Sequence, residues 1–319
     1  MVMNALHQAG RRKPARKRIA LQRPAHLPRS WREGRVKTAV VPLENGATVS
    51  FGTSVTRSVT PTPRSVATLL APLDQLAATS PRLMAKPGAT FSSGGEIWEL
   101  PRYSFVGPQG GDEPLRIGLF AGIHGDEPEG SHALISFLRL LERVPEVATG
   151  YSLFVYPVCN PTGFARRTRF SANGKDLNRE FWLGSTEPEV RLLEAELAAN
   201  ALQGVISLHT DSTSDGFYGF AQGASLTRNL IEPALAAAEE YLPRNRSRQI
   251  DGFDARNGII GGIYPGVLRA PPGLRPRPFE IILETPEAAP VYLKEAAFVA
   301  AMQTILTRYR EFIAYAANL

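Results

Sequence analysis

The 319-residue sequence predicts an α/β fold, a doubly wound, mixed and largely parallel sheet with helices on both faces. Two observations carry that expectation. Short, nearly continuous apolar runs alternate with longer segments whose apolar residues recur at helical spacing. Several of the short runs stop abruptly at a histidine or an acid, and open α/β sheets place their ligands just beyond the carboxyl ends of strands.

Residues 1–65 stand apart from this pattern. They hold 13 Lys/Arg against 2 Asp/Glu, whereas the remainder holds 23 against 28, so the overall charge of +6 belongs to this leader. It is rich in Arg, Pro, Ser and Thr, lacks sustained periodicity and closes on Thr60-Pro61-Thr62-Pro63, which predicts a disordered segment. Few aromatics interleave with its charges, so it does not read as a stacking surface for single strands. The body is net acidic, and nucleic acid is not expected as its partner. Behind Arg11 to Arg18 the run Ile19-Ala20-Leu21 is cut off by Arg23 and Pro24, too short for the core of a secretory signal. No run of about 18 apolar residues occurs, so no membrane span is expected and the predicted location is the cytoplasm. The single cysteine, Cys159, rules out an intrachain disulfide.

Residues 66–319 are expected to form one domain. Val66, Leu69, Leu70, Leu73 and Leu76 predict a helix over 66–78. Ser92-Ser93-Gly94-Gly95 reads as a turn before a strand over 96–106. A strand over 117–121 stops at Gly122, and a tight turn carrying His124 and Glu127 leads into a helix from about Pro128. That helix is clearest over 131–141, and His132 reads as structural. A buried strand over 151–158 precedes Cys159-Asn160-Pro161-Thr162-Gly163, which reads as a turn. Thr186 is the candidate N-cap of a helix over 187–201. A strand over 205–208 stops at His209, a helix covers 226–241, a strand over 279–283 ends at Glu284, and a last helix runs from 291 to 316.

The strand ends carry the chemistry. His-x-x-Glu alone is a weak signal, and a histidine beside a helix-start acid explains it equally well. The body has three histidines, however, and two of them, His124 and His209, directly follow predicted strands. Two imidazoles and one carboxylate around zinc leave a coordination position open, as a catalytic site requires. Glu284 is then a candidate base, set at the end of an otherwise apolar strand. Arg166, Arg167 and Arg169 precede Asp176-Leu177-Asn178-Arg179 across an Asn173-Gly174 turn. Such a loop offers planar guanidinium donors for a carboxylate, although a solvated basic loop would look the same.

These residues in this order resemble the zinc carboxypeptidases, the family of carboxypeptidases A, B, E and N, in a compact bacterial form. Five stretches carry the resemblance, which covers about residue 96 onward: Gly122 to Glu127, Leu208-His209-Thr210, Asn160 to Arg179, Gly262-Ile263-Tyr264-Pro265, and Phe279 to Glu284. It implies a single catalytic domain over 66–319 with one zinc ion per chain, held by His124, Glu127 and His209. Glu284 would be the base. Arg169, whose spacing to Asn178 is better than that of Arg166, would polarise the scissile carbonyl. Asn178 and Arg179 would bind the substrate's terminal carboxylate, Tyr264 would close over it, and Asp176 would orient His124. The implied substrate is a small peptide or acyl amino acid with a free carboxylate, and a murein peptide amidase is one form of this activity. The related aspartoacylases and succinylglutamate desuccinylases share the metal motif and the Asp-Leu-Asn-Arg segment. Members of that branch usually carry a β-rich domain after the glutamate, for which the 35 residues beyond Glu284 leave no room. A non-catalytic zinc-binding protein would be expected to lack a ligand or the base.

Overall fold

The computed structural model describes residues 64–111 and 113–316, together with the backbone of 41–42 and 48–49. Most of the leader expected over 1–65 therefore lies outside the described residues. Its two short pieces, β1 (Val41–Pro42) and β2 (Thr48–Val49), pair antiparallel.

The body begins with helix α1 (Val66–Ala77), capped by the Ser65 hydroxyl, which accepts from the Thr68 amide. A hairpin follows, β3 (Leu83–Ser93) and β4 (Glu96–Val106), turning through Gly94 and Gly95, both at positive φ. The chain then alternates: β5 (Leu115–Ala121), α2 (Glu129–Arg143), β6 (Tyr151–Tyr156), α3 (Pro161–Arg166), α4 (Pro188–Ala199), β7 (Gly204–Asp211). Beyond these lie β8 (Tyr218–Gly223), α5 (Thr227–Ala238), the short strands β9 (Gln249–Ile250), β10 (Phe253–Arg256) and β11 (Ile259–Ile260), then β12 (Phe279–Pro286) and α6 (Val291–Ala316).

Ten strands form one mixed sheet in the order β3-β4-β6-β5-β7-β12-β8-β11-β10-β9. Its centre, β6-β5-β7-β12, is parallel, and the pairs outside it are antiparallel apart from β8–β11. One face buries α1, α2, α5 and α6 through residues such as Leu73, Leu134, Leu138, Leu235 and Ile305. The other face buries α4 through Val190, Leu193 and Leu197 against Phe120 and Val205. Burying each such leucine contributes roughly 1.5–3 kcal/mol, so both layers are firmly attached. The layered α/β architecture follows the expectation, with antiparallel edges added to its parallel centre.

Several boundaries differ from the sequence-based expectation, each for a local reason. The 159–163 segment is not a turn. Pro161 starts α3 and the Asn160 side chain caps it, accepting from the Gly163 amide at 2.7 Å. Thr186 does not cap α4. Glu187 holds that position without a side-chain cap, because its carboxylate accepts from Ser171 and Asn173 instead. The strand expected over 151–158 ends at Tyr156, and the helix expected over 226–241 is Thr227–Ala238. Strand β3 and the whole β8–β11 group were not anticipated.

Register matters most for function. Ala121, the last residue of β5, pairs with Leu208, and Glu284 of β12 pairs with His209 of β7. Two adjacent parallel pairings thus bring the turn after β5, His209 and Glu284 to one edge of the sheet.

Candidate metal centre and substrate cleft

The turn after β5 is shaped by two glycines. Gly122 adopts φ +63, and a Cβ at Gly125 would lie 2.0 Å from the Gly163 carbonyl carbon. The turn therefore lies tight against α3, and the His124 and Glu127 side chains turn inward, 4% and 9% exposed. His209 arrives from β7 at 3% exposure. His124 Nδ1 lies 2.7 Å from Glu127 Oε1, His209 Nδ1 lies 3.2 Å from Glu127 Oε2, and the two Nδ1 atoms are 3.3 Å apart. Among the described residues these three side chains form a group able to hold a metal ion.

The outer sides of both rings are spoken for. His124 Nε2 lies 3.2 Å from Asp176 Oδ1, and His209 Nε2 lies 2.8 Å from Ser207 Oγ. Both His124 nitrogens face carboxylates, Nε2 towards Asp176 and Nδ1 towards Glu127, and a proton kept on Nε2 by Asp176 would leave the Nδ1 lone pair for a cation. With Nε2 of His209 likewise donating to Ser207, three lone-pair donors would converge on one point. That donor set fits a divalent cation and is unfavourable without one. The charges follow the geometry. Burial alone would lower the basicity of both imidazoles. For His124 the Glu127 and Asp176 carboxylates outweigh burial and raise its pKa, whereas burial prevails at His209 and lowers it. Burial would raise Glu127, but the two imidazoles hold it far below the ordinary carboxylate range.

Around this centre lies a cleft of about 300 Å³ lined by every residue singled out above for direct substrate, base or metal contact. Asp176 sits behind it and starts the 3-10 turn Leu177–Arg179, with Oδ1 accepting from the Asn178 amide at 3.0 Å. Its Oδ2 accepts from Arg169 Nε at 3.1 Å. Burial opposes ionisation at Asp176, but His124 and Arg169 together depress its pKa well below the usual value. Arg169 Nη1 thereby stands 3.5 Å from Glu127 Oε1, at the mouth of the metal group. Arg166 bonds the Ala172 carbonyl and does not line the cleft.

Asn178 is buried, and its Oδ1 accepts from the Leu268 amide at 2.8 Å, which fixes the side chain against the loop after Tyr264. The Arg179 guanidinium lies 4.3 Å from the Tyr264 ring centre, within cation–π range. Gly266 follows at φ +72, where a Cβ would meet the Arg179 carbonyl oxygen at 2.2 Å. Tyr264 also packs edge-on against Phe253 and donates its hydroxyl to the Asp251 carbonyl at 2.7 Å. Glu284 lies half-buried in the cleft. Burial, followed by the charges of Glu127, Asp211 and Asp251, raises its pKa well above the ordinary carboxylate value.

Similarity to known structures accords with this arrangement. The fold matches that of a metallo-carboxypeptidase from Pseudomonas aeruginosa, in complex with (2-guanidinoethylmercapto)succinic acid, at a TM-score of 0.58 and 17% identity, covering 78% of this chain and 70% of that one. It also matches a metallo-carboxypeptidase from Burkholderia cenocepacia at a TM-score of 0.60 and 17% identity, covering 78% and 70%. The fold is that of the metallocarboxypeptidases. A candidate metallopeptidase from Shewanella amazonensis is 26% identical with a TM-score of 0.59, covering 76% of this chain and 91% of that one. The succinylglutamate desuccinylase/aspartoacylase catalytic-domain family matches residues 115–245, the part of the chain that carries His124, Glu127 and His209. No curated protein matches the sequence. Among the described residues no helix is long and apolar enough to cross a membrane.

Sequence reasoning missed several contributors. Ser207 lies two residues before His209 on the same strand face, a period-2 relation that could have flagged it. The Thr210 amide donates to Glu127 Oε2 at 2.9 Å, and a backbone donor leaves no residue-type signal. Asp251-Gly252 is a hairpin dipeptide between β9 and β10, legible as a turn but not as an anchor for Tyr264.

Proposed function

We propose that the protein is a zinc-dependent metallocarboxypeptidase that hydrolyses the amide bond next to a substrate's terminal carboxylate-bearing residue. The observation that carries this reading is the convergence of His124, Glu127, His209, Arg169, Arg179 and Glu284 on one cleft. Two imidazole nitrogens and one carboxylate suit zinc and leave room for substrate and water. Zinc bound there would supply Lewis-acid polarisation of the scissile carbonyl and make water easier to deprotonate.

The chain's own residues supply the rest. Arg179, aligned by its contact with Tyr264, pairs with the terminal carboxylate in a planar fork, and Asn178 lies beside it. Fixing that carboxylate sets which amide bond reaches the metal group. Arg169 faces the oxygen that becomes anionic as the carbonyl is attacked, a contribution typically worth about 3–4 kcal/mol. Glu284 takes the proton of the attacking water and returns it to the departing amine, a role its raised proton affinity suits. Tyr264 covers the cleft and limits water entry.

The match over 115–245 favours a second reading, an acyl amino acid amidohydrolase. Charge in the cleft favours the first. Asp126, Asp211, Asp251, Glu284 and Glu287 line it beside the metal ligands, against Arg169 and Arg179. An acylated aspartate or succinylglutamate would bring two or more carboxylates into that field, with two guanidiniums to receive them. A substrate carrying an ammonium group, as a murein peptide ending in diaminopimelate does, meets a complementary field. A hydrolysis panel of C-terminal dipeptides, murein tripeptide, N-acetylaspartate and N-succinylglutamate, with and without chelator, tests the reading. Chelator-sensitive cleavage of the first two classes is expected. Cleavage confined to the acyl amino acids would overturn it.

A further inference from the structure

One buried ion pair next to the metal group takes no part in the scheme above. Lys294, in the first turn of α6, is 1% exposed, and its Nζ lies 3.1 Å from Glu129 Oε1. A lysine this deeply buried is costly unless its charge is matched, and a surface site would have served simple helix docking. Glu129 is the first residue of α2, two positions after the ligand Glu127, where a carboxylate also complements the helix N-terminus.

The second oxygen of Glu129 leads to the metal. Thr210 Oγ1 lies 3.4 Å from Glu129 Oε2 and 3.1 Å from Thr285 Oγ1, and Thr285 is fully buried. Lys294 and Thr210 both donate to Glu129, and the single hydroxyl proton of Thr285 is shared between the Thr210 hydroxyl and the His209 carbonyl. Thr285 Oγ1 also lies 3.3 Å from the His209 carbonyl oxygen. The peptide after His209 is the one whose N–H, on Thr210, donates to Glu127 Oε2 at 2.9 Å. Lys294, Glu129, Thr210 and Thr285 thus form one connected path. It ends on the peptide that joins one histidine ligand to the amide bond holding the carboxylate ligand.

We propose that the Lys294–Glu129 pair is a positioning device for the metal centre. Acting through Thr210 and Thr285, it fixes the His209–Thr210 peptide and hence the angle at which Glu127 presents its carboxylate. Lys294 and Glu129 bind no substrate and move no proton in the reaction. This inference rests on the metal-centre reading given above. Outer partners of metal ligands typically change metal affinity by roughly 10- to 100-fold when removed, without removing any ligand.

The test uses full-length protein, with zinc affinity measured by competition against a chromophoric chelator and folding followed by thermal melting. Lys294→Met leaves Glu129 unpaired and is expected to lower both Tm and zinc affinity, the latter about tenfold. The double variant Glu129→Leu, Lys294→Met removes both charges and the oxygen that accepts from Thr210. Its Tm should return towards wild type while its zinc affinity stays about tenfold weak, because neutral groups of that shape no longer orient the peptide. Thr285→Val, which keeps volume and deletes only the hydroxyl, should weaken zinc by a smaller factor and serves if Lys294→Met does not fold. Zinc affinity equal to wild type in both the folded double variant and Thr285→Val would overturn the proposal and leave a purely structural ion pair. Wild-type protein that binds no zinc would instead overturn the metal-centre reading on which the proposal stands.

Discussion

The metal-bearing segment from β5 to β7 and the closing segment from Asp251 to Pro278 face each other across the cleft and are built differently. In the first, His124, Glu127 and His209 sit at the ends of adjacent parallel strands, are nearly inaccessible to solvent, and each meets at least two polar partners. Their positions are over-determined. In the second, Tyr264 hangs on a loop after three short strands, its hydroxyl held at an exposed turn by Asp251 and its ring resting on Arg179. Its ring is only partly buried, against Phe253 and the small apolar cluster of Ile250, Ile260 and Val267, so it is held more lightly than the histidines. The contrast is between a rigid edge, where the candidate metal ligands and Glu284 meet, and a more open segment across the cleft from it.

Variants that break the rigid side should have the largest effects. Glu284→Gln should lower kcat by about 10²- to 10⁴-fold while zinc content stays at the wild-type level, because a general base is lost and no ligand is. Unchanged kcat with zinc bound would remove Glu284 from the mechanism. Arg169→Ala should cost about 10²- to 10³-fold in kcat, the usual penalty for losing an oxyanion donor. Arg166→Ala is the matched control and should leave steady-state rates near wild type, since that side chain bonds Ala172 outside the cleft. On the lightly held side, Tyr264→Phe removes the hydrogen bond to Asp251. A single such bond contributes about 0.5–1.5 kcal/mol, so a change of tenfold or less, mainly in KM, is expected.

Acid stability sharpens the same contrast. The Asp176 carboxyl is held below its unfolded pKa by His124 and Arg169. A group depressed in this way stabilises the fold above its unfolded pKa of about 3.9 and loses that contribution as pH falls through the folded value. Urea melts of metal-free wild type should therefore weaken below about pH 4, and Asp176→Asn should flatten that dependence. Equal slopes for the two proteins would show that Asp176 is not coupled to the ligand histidine.

The same division decided what the sequence could reveal. Strands buried on both faces must be apolar nearly throughout, so β5, β6, β7 and β12 stand out, and a histidine or glutamate ending such a run is conspicuous. The outer strands carry no such mark. β3 contains Lys86-Pro87-Gly88 and is exposed over much of its length, β8 holds two internal and terminal glycines, and β9 to β11 are two to four residues long. Helix α3 was hidden because Asn-Pro-Thr-Gly suits a turn and an N-cap equally, and packing against Gly125 decides between them. The side chains that line the cleft were legible by type and order. The Thr210 amide, the left-handed Asp251 and the buried Lys294–Glu129 pair were not, because backbone donors and tertiary ion pairs leave no local pattern.

The most direct measurement of the central claim is the zinc content per chain, by elemental analysis, of wild type and His209→Ala purified side by side. One zinc per wild-type chain and almost none in the variant is the predicted result. No zinc in the wild type, or equal zinc in both proteins, would contradict a metal centre built from His124, Glu127 and His209.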